Sequence, residues 1–183
     1  MLFAPYQQAI DAHYHRVGRD SPFRKPAPAR DLRRVESALG QSLPKELCAA
    51  WLASNGSGTY SPVFARPGFL TGYDFFPVAK AIQQRQAMSA RAKQYRGYVE
   101  PAPRDPRIRP GWFHDGWLPF AGFGGSTLLL LIDLSPAATG SHGQVIAFTH
   151  DPDEIGFVAE SFPVFLTLSA QAFEEDGEDL LGE

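Results

Sequence analysis

Apolar residues recur at helical spacing in five stretches of this chain, with shorter apolar runs of strand length between them. Pro5 to Val17 reads as a helix, followed by a basic, proline-rich linker from Gly18 to Pro28. Leu32, Val35 and Leu39 then recur at helical spacing, and Gly40 supplies a stop. Pro44, favoured in a first turn, opens the next helix with Leu43, Leu47, Cys48, Trp51 and Leu52 on one side. Asn55-Gly56 is expected to end it, since both residues tolerate the left-handed conformation of a C-cap. Thr59 to Phe76, rich in aromatics, Gly and Pro, suits short strands with turns. The longest helix spans Val78 to Tyr95, with a stripe of Val78, Ile82, Met88, Ala92 and Tyr95. The four prolines between Tyr98 and Gly111 exclude helix and central strand, and mark that loop as the mobile element.

The second half carries the clearest strand pattern. Leu128 to Ile132 is apolar on both strand faces, as in a strand covered on both sides. A loop from Ser135 to Gly143 returns the chain to a partner strand, Gln144 to Thr149, and Ile155 to Ala159 makes a third. Ser161 caps the last helix, with Pro163 in its first turn and Phe162, Phe165, Leu166 and Phe173 facing inward. The acidic residues 174–183 read as a frayed tail. Strands and helices do not alternate regularly, so the expected fold is α+β: a mainly antiparallel sheet packed with helices. We expect one domain over residues 1–183, with an N-terminal helix and linker (1–29), a core (30–170) and the tail.

Composition changes this picture in two respects. The 44% apolar content, with 14 Phe and 3 Trp, supplies a real core. A lone cysteine, Cys48, excludes an intrachain disulfide and a cysteine-rich zinc site. No basic segment followed by an apolar one opens the chain, and Leu128 to Ile132 is too short to span a bilayer, so a cytoplasmic protein is expected. Charge is unevenly spread. Residues 1–110 hold all 17 basic residues against 8 acidic ones, a balance of +9; residues 111–183 hold 12 acidic and no basic residues. Such asymmetry points to charged partners, or to two halves that interleave and neutralise each other.

Several motifs in order resemble the SUKH superfamily, which includes fungal cell-wall assembly regulators and many bacterial immunity proteins. Glu36, Leu39-Gly40 and Leu43-Pro44 resemble its "E-x-x-L-G-x-x-L-P" opening, and Asn55-Gly56 its "NG". Trp112, Trp117-Leu118-Pro119 and Gly125-Ser126-Thr127 resemble "W…WLP…GST"; Ile132-Asp133 with Pro136 resembles "LD…P". Gly143 to Ile146 resembles "GQVI", and His150 to Asp153 with Ala159, Ser161-Phe162 and Phe165-Leu166 resembles "HDPD…A-x-SF…FL". The resemblance covers roughly residues 30–170 and departs at Gly122-Phe123-Gly124, where many relatives carry an acidic residue. It implies a non-enzymatic protein-binding module. The bacterial members imply an immunity protein that silences a cognate toxin, often a nuclease; the fungal members imply a regulatory scaffold.

The residues themselves offer little catalytic chemistry. The run His150 to Glu154 lacks the glycine and the oxygen ligands of a calcium loop and reads as a solvated turn. The rival reading is a small metal-dependent hydrolase using His150, Asp151 and Asp153. His13 and His15, two apart on a helix, diverge; His114 and His142 fall in turns. The glycine loop before Thr127 lacks the Lys of a P-loop and precedes a strand. Ser126, Ser161 and Cys48 have no partner base in sequence, and no G-x-S-x-G elbow is present. Hence no catalytic residue, metal or cofactor is assigned. Lys80 to Arg109 holds 8 basic and 2 acidic residues without a nucleic-acid motif, so nucleic acid is not the expected partner. The expected partner is a protein toxin. Asp151, Asp153 and Glu154 are the expected docking residues, with Glu174, Glu175 and Asp176 at the rim. Trp112 and Trp117 read as core, or else as a ligand groove with Asp133, which otherwise ties down the loop after its strand.

Overall fold

The computed structural model describes residues 1–181 apart from Gly124 and Ser126. The Gly125-Ser126-Thr127 motif and the notional nucleophile Ser126 therefore lie partly outside the described residues. Five helices, α1 (Phe3–Arg16), α2 (Ala29–Leu39), α3 (Lys45–Ala53), α4 (Val78–Ala92) and α5 (Phe162–Leu181), surround one sheet. Its strands are β1 (Phe64–Arg66), β2 (Phe69–Phe75), β3 (Trp117–Phe123), β4 (Leu128–Asp133), β5 (Gln144–Thr149) and β6 (Glu154–Ala159). All neighbours are antiparallel and the spatial order is the chain order, β1 to β6. This is the expected α+β class.

An up-and-down order puts alternate connections at the same end. The β1–β2, β3–β4 and β5–β6 turns therefore share one end of the sheet, and the β4–β5 loop lies at the other. Strand β4 is covered on both faces, as its unbroken apolar run predicts. Leu129 pairs with Phe148 and Leu131 with Ile146 on one face, where Trp112 meets Phe148 edge-on and Tyr95 stacks on Trp112, with centroids 4.1 Å apart. The opposite face meets α5 through Phe64, Phe120, Phe162 and Phe165, a cluster of edge-on and tilted rings. Helix α1 packs against α5 and α3, and α4 against β3 and α2.

Several local expectations shift. On α3 the buried side is Leu47, Ala50 and Trp51, whereas Leu52 faces solvent. Helix α3 ends at Ser54 in extended conformation, so Asn55-Gly56 is no left-handed cap. Asn55 Oδ1 instead accepts the Val78 amide at 3.0 Å and caps α4 from 23 residues away. Gly56 does take a positive φ, 88°, and a Cβ there would meet Pro77 N at 2.6 Å. The acidic tail is not frayed over its described part: α5 kinks at Asp176 and runs on to Leu181, with Leu180 and Leu181 buried. The loop from Tyr98 to Gly111 is tied down along its length. Arg104 donates to the carbonyls of Arg109 and Gly111 and pairs with Glu100 at 2.6 Å, Ile108 is buried, and Arg107 lies over Phe157.

Candidate functional site

The polar residues that carry the resemblance sit where backbone groups need partners. Glu36 Oε1 accepts the Leu43 amide at 3.0 Å across the turn that the left-handed Gly40 makes. Gln144 Nε2 donates to Asp133 Oδ2 and to the Arg107 carbonyl, both at 2.9 Å, while its Oε1 accepts the Ser141 amide at 3.1 Å. Asp133 Oδ1 accepts the Ser135 amide at 2.9 Å and so ties down the loop after β4. The carboxyl is fully buried, and desolvation raises its pKa above the usual carboxylate value despite the Ser135 and Gln144 donors. Buried polar groups left unpaired would cost about 1–3 kcal/mol each, which explains polar residues inside this fold without any chemistry.

Trp112, Trp117 and Asp133 are all closed off from solvent. Tyr95 covers one face of the Trp112 indole, and His114 meets Trp117 edge-on at 5.0 Å. No open groove runs along these three residues.

The turn from His150 to Glu154 is more than a solvated loop. Asp153 Oδ2 accepts Trp112 Nε1–H at 2.6 Å, Oδ1 pairs with His150 Nδ1 at 2.5 Å, and the Asp153 carbonyl accepts the Tyr98 hydroxyl at 2.7 Å. The Asp153 side chain is only 9% exposed. Its carboxylate is therefore engaged inside the molecule, whereas Asp151 and Glu154 face solvent. His150, Asp151 and Asp153 do not converge on a common point: among the described residues no three His, Cys, Asp or Glu side chains are placed to share a cation. Burial, with Glu36 and Glu46 nearby, pushes the Cys48 thiol up, away from the reactive thiolate.

Of the rim candidates, Glu174 and Glu175 are exposed and Asp176 is half-buried at the α5 kink. His13 sits against that kink, near enough that a Cβ on Gly177 would meet its Nδ1 at 3.1 Å. The basic segment spends much of its charge internally. Arg85 holds the Asp115 carbonyl, Arg91 lies over Trp112, Arg107 pairs with Asp105, and Arg104 is engaged as above.

Sequence reasoning missed the exposed apolar residues at the turn end of the sheet. Tyr60 is 75% exposed, Leu70 65% and Phe123 44%, and all three line one groove with Pro62, Gly72 and Leu180. One signal was present: an aromatic inside the Gly-, Ser- and Pro-rich run from Ser57 to Pro62 belongs to a loop and has little core to enter. Leu70 gave none, because an apolar residue at a strand start reads as core.

The order of motifs, the six-stranded antiparallel sheet and the helices on both its faces agree with one comparison. The SMI1 / KNR4 family (SUKH-1) matches residues 26–168, and the chain belongs to that family. The matched span leaves out α1 and most of α5. A search of curated proteins found no match. Among the described residues, no helix is long and apolar enough to cross a membrane.

Proposed function

We propose that this chain is a non-catalytic, cytoplasmic immunity protein that neutralises a cognate protein toxin by occluding it. The observation that carries the reading is membership of the SMI1 / KNR4 family, combined with motif residues that are spent on internal hydrogen bonds. Each of these groups has a structural task that accounts for its presence without catalysis. The acidic second half gives the docking face its sign: opposite charge speeds encounter with a basic toxin channel and suppresses wrong partners. Asp151 and Glu154 contact the partner, with Glu174 and Glu175 at the rim. Asp153 supports them by holding the turn rather than by touching the partner, and Asp176 shapes the kink.

Co-expression tests the reading. The toxin encoded beside this gene should kill cells alone and be tolerated with this chain present. Replacing Asp151 and Glu154 by Lys should weaken both protection and affinity. If no neighbouring toxin is bound or neutralised, the proposal fails.

A further inference from the structure

We propose that the groove formed by Tyr60, Leu70, Phe123 and the end of α5 is the docking surface for a protein that inserts an apolar side chain flanked by lysine or arginine. This rests on the binding role proposed above and gives it an address. Exposed large apolar residues are common singly, but here three line one groove of about 280 Å³. Gly72 makes the floor possible, since a Cβ there would meet Pro62 Cβ at 2.5 Å and the Leu180 carbonyl at 3.2 Å.

Tyr60 is also held outward. Asp74 accepts the Tyr60 and Ser61 amides at 3.0 and 2.9 Å, and Tyr60 takes φ 55°, a conformation that L-residues seldom adopt. An exposed aromatic on a pinned backbone suits an interface hot spot, because less of the chain remains to be ordered on binding.

Charge decides the occupant. Asp179 lines the groove, and Glu175 and Glu178 stand exposed within a turn of it. Asp151 and Glu154 lie at the same end of the sheet. Arg16, Arg19 and Arg66 lie nearby and keep their charge, but Asp74 and the five carboxylates of residues 174–179 outnumber them, so the surroundings of the groove stay acidic. A second copy of this chain fits poorly, since a two-fold contact through the groove would set these carboxylates against one another. A second apolar groove, between Leu2 of the N-terminal region and Ala49 and Ala53 of α3, carries Lys45 and Glu46 together and so selects no partner by charge.

The probe is the catalytic domain, inactivated in its active site, of a toxin that this chain protects against in co-expression, titrated against the full chain. Tyr60→Ala, Leu70→Asp and Phe123→Ala should each weaken binding, the strongest by about 30-fold or more, while leaving the melting temperature of these exposed positions nearly unchanged. Reversing Glu175, Glu178 and Asp179 to Lys should slow association at low salt by about tenfold with little change in dissociation. Unchanged affinity in all three apolar variants, with the wild type binding, overturns this surface and leaves the immunity reading standing. A wild-type chain that does not bind overturns both. A wild-type dimer that Leu70→Asp dissolves assigns the groove to self-association and also overturns the proposal.

Discussion

Tyr6 and Ser169 are buried 163 residues apart and form a relay that closes on β1. The Ala65 amide donates to Ser169 Oγ at 2.8 Å, Ser169 Oγ lies 2.7 Å from the Tyr6 hydroxyl, and that hydroxyl donates to the Val63 carbonyl. Strand β1 is an edge of the sheet, so its outward backbone groups would otherwise be orphaned beneath α1 and α5. Tyr6→Phe keeps the ring and its stacking on Phe64 but strips the Val63 carbonyl of its donor. An unsatisfied buried acceptor costs about 1–3 kcal/mol. At roughly 2–4 °C per kcal/mol for a chain of this size, the melting point should fall by about 2–12 °C. Ser169→Ala should cost a similar amount by orphaning the Ala65 amide. Because the two residues share one relay, the double variant should lose less than the sum, with a coupling of about 0.5–3 kcal/mol. Urea unfolding of the four proteins, followed by circular dichroism, measures this directly. Additive losses, or a Tyr6→Phe protein as stable as wild type, would refute the relay.

Four further substitutions have expected outcomes. Asn55→Ala should cost about 0.5–2 kcal/mol in urea unfolding by uncapping α4; Gly56→Ala should cost more, since φ 88° and Pro77 both oppose a side chain. Leu131→Ala, in a fully buried strand, should cost about 2–5 kcal/mol. Asp133 has a raised pKa in the folded state, so the native protein binds its proton more tightly; its favourable contribution is complete below the ordinary carboxylate range and is lost as pH rises through the folded value. Stability measured from acid to neutral pH should therefore show Asp133→Asn gaining on the wild type as pH rises, and parallel curves would contradict this.

The amino-acid pattern alone determined most of the secondary structure. The unbroken run from Leu128 to Ile132 called for a strand buried on both faces, and the periods of Leu32, Val35 and Leu39 and of Phe162, Phe165 and Leu166 placed helices. Those signals are local, carried by residues within a turn or a strand of each other, and each single motif of the family is equally local. The uses of the polar residues were not local. Asn55 looks like the end of its own helix, yet its oxygen is taken by Val78. Asp153 looks like a solvated turn residue until Trp112, 41 positions earlier, donates to it. The tail reads as frayed from its charge, whereas Leu180 and Leu181 are buried, Leu180 beside β2 where Gly72 has no side chain to hold it off. Which carboxylates remain free for a partner, and which apolar side chains find no core, depends on how distant segments satisfy one another's hydrogen bonds and fill one another's space. That is a property of the packed chain, decided by tertiary contacts that no window of sequence contains.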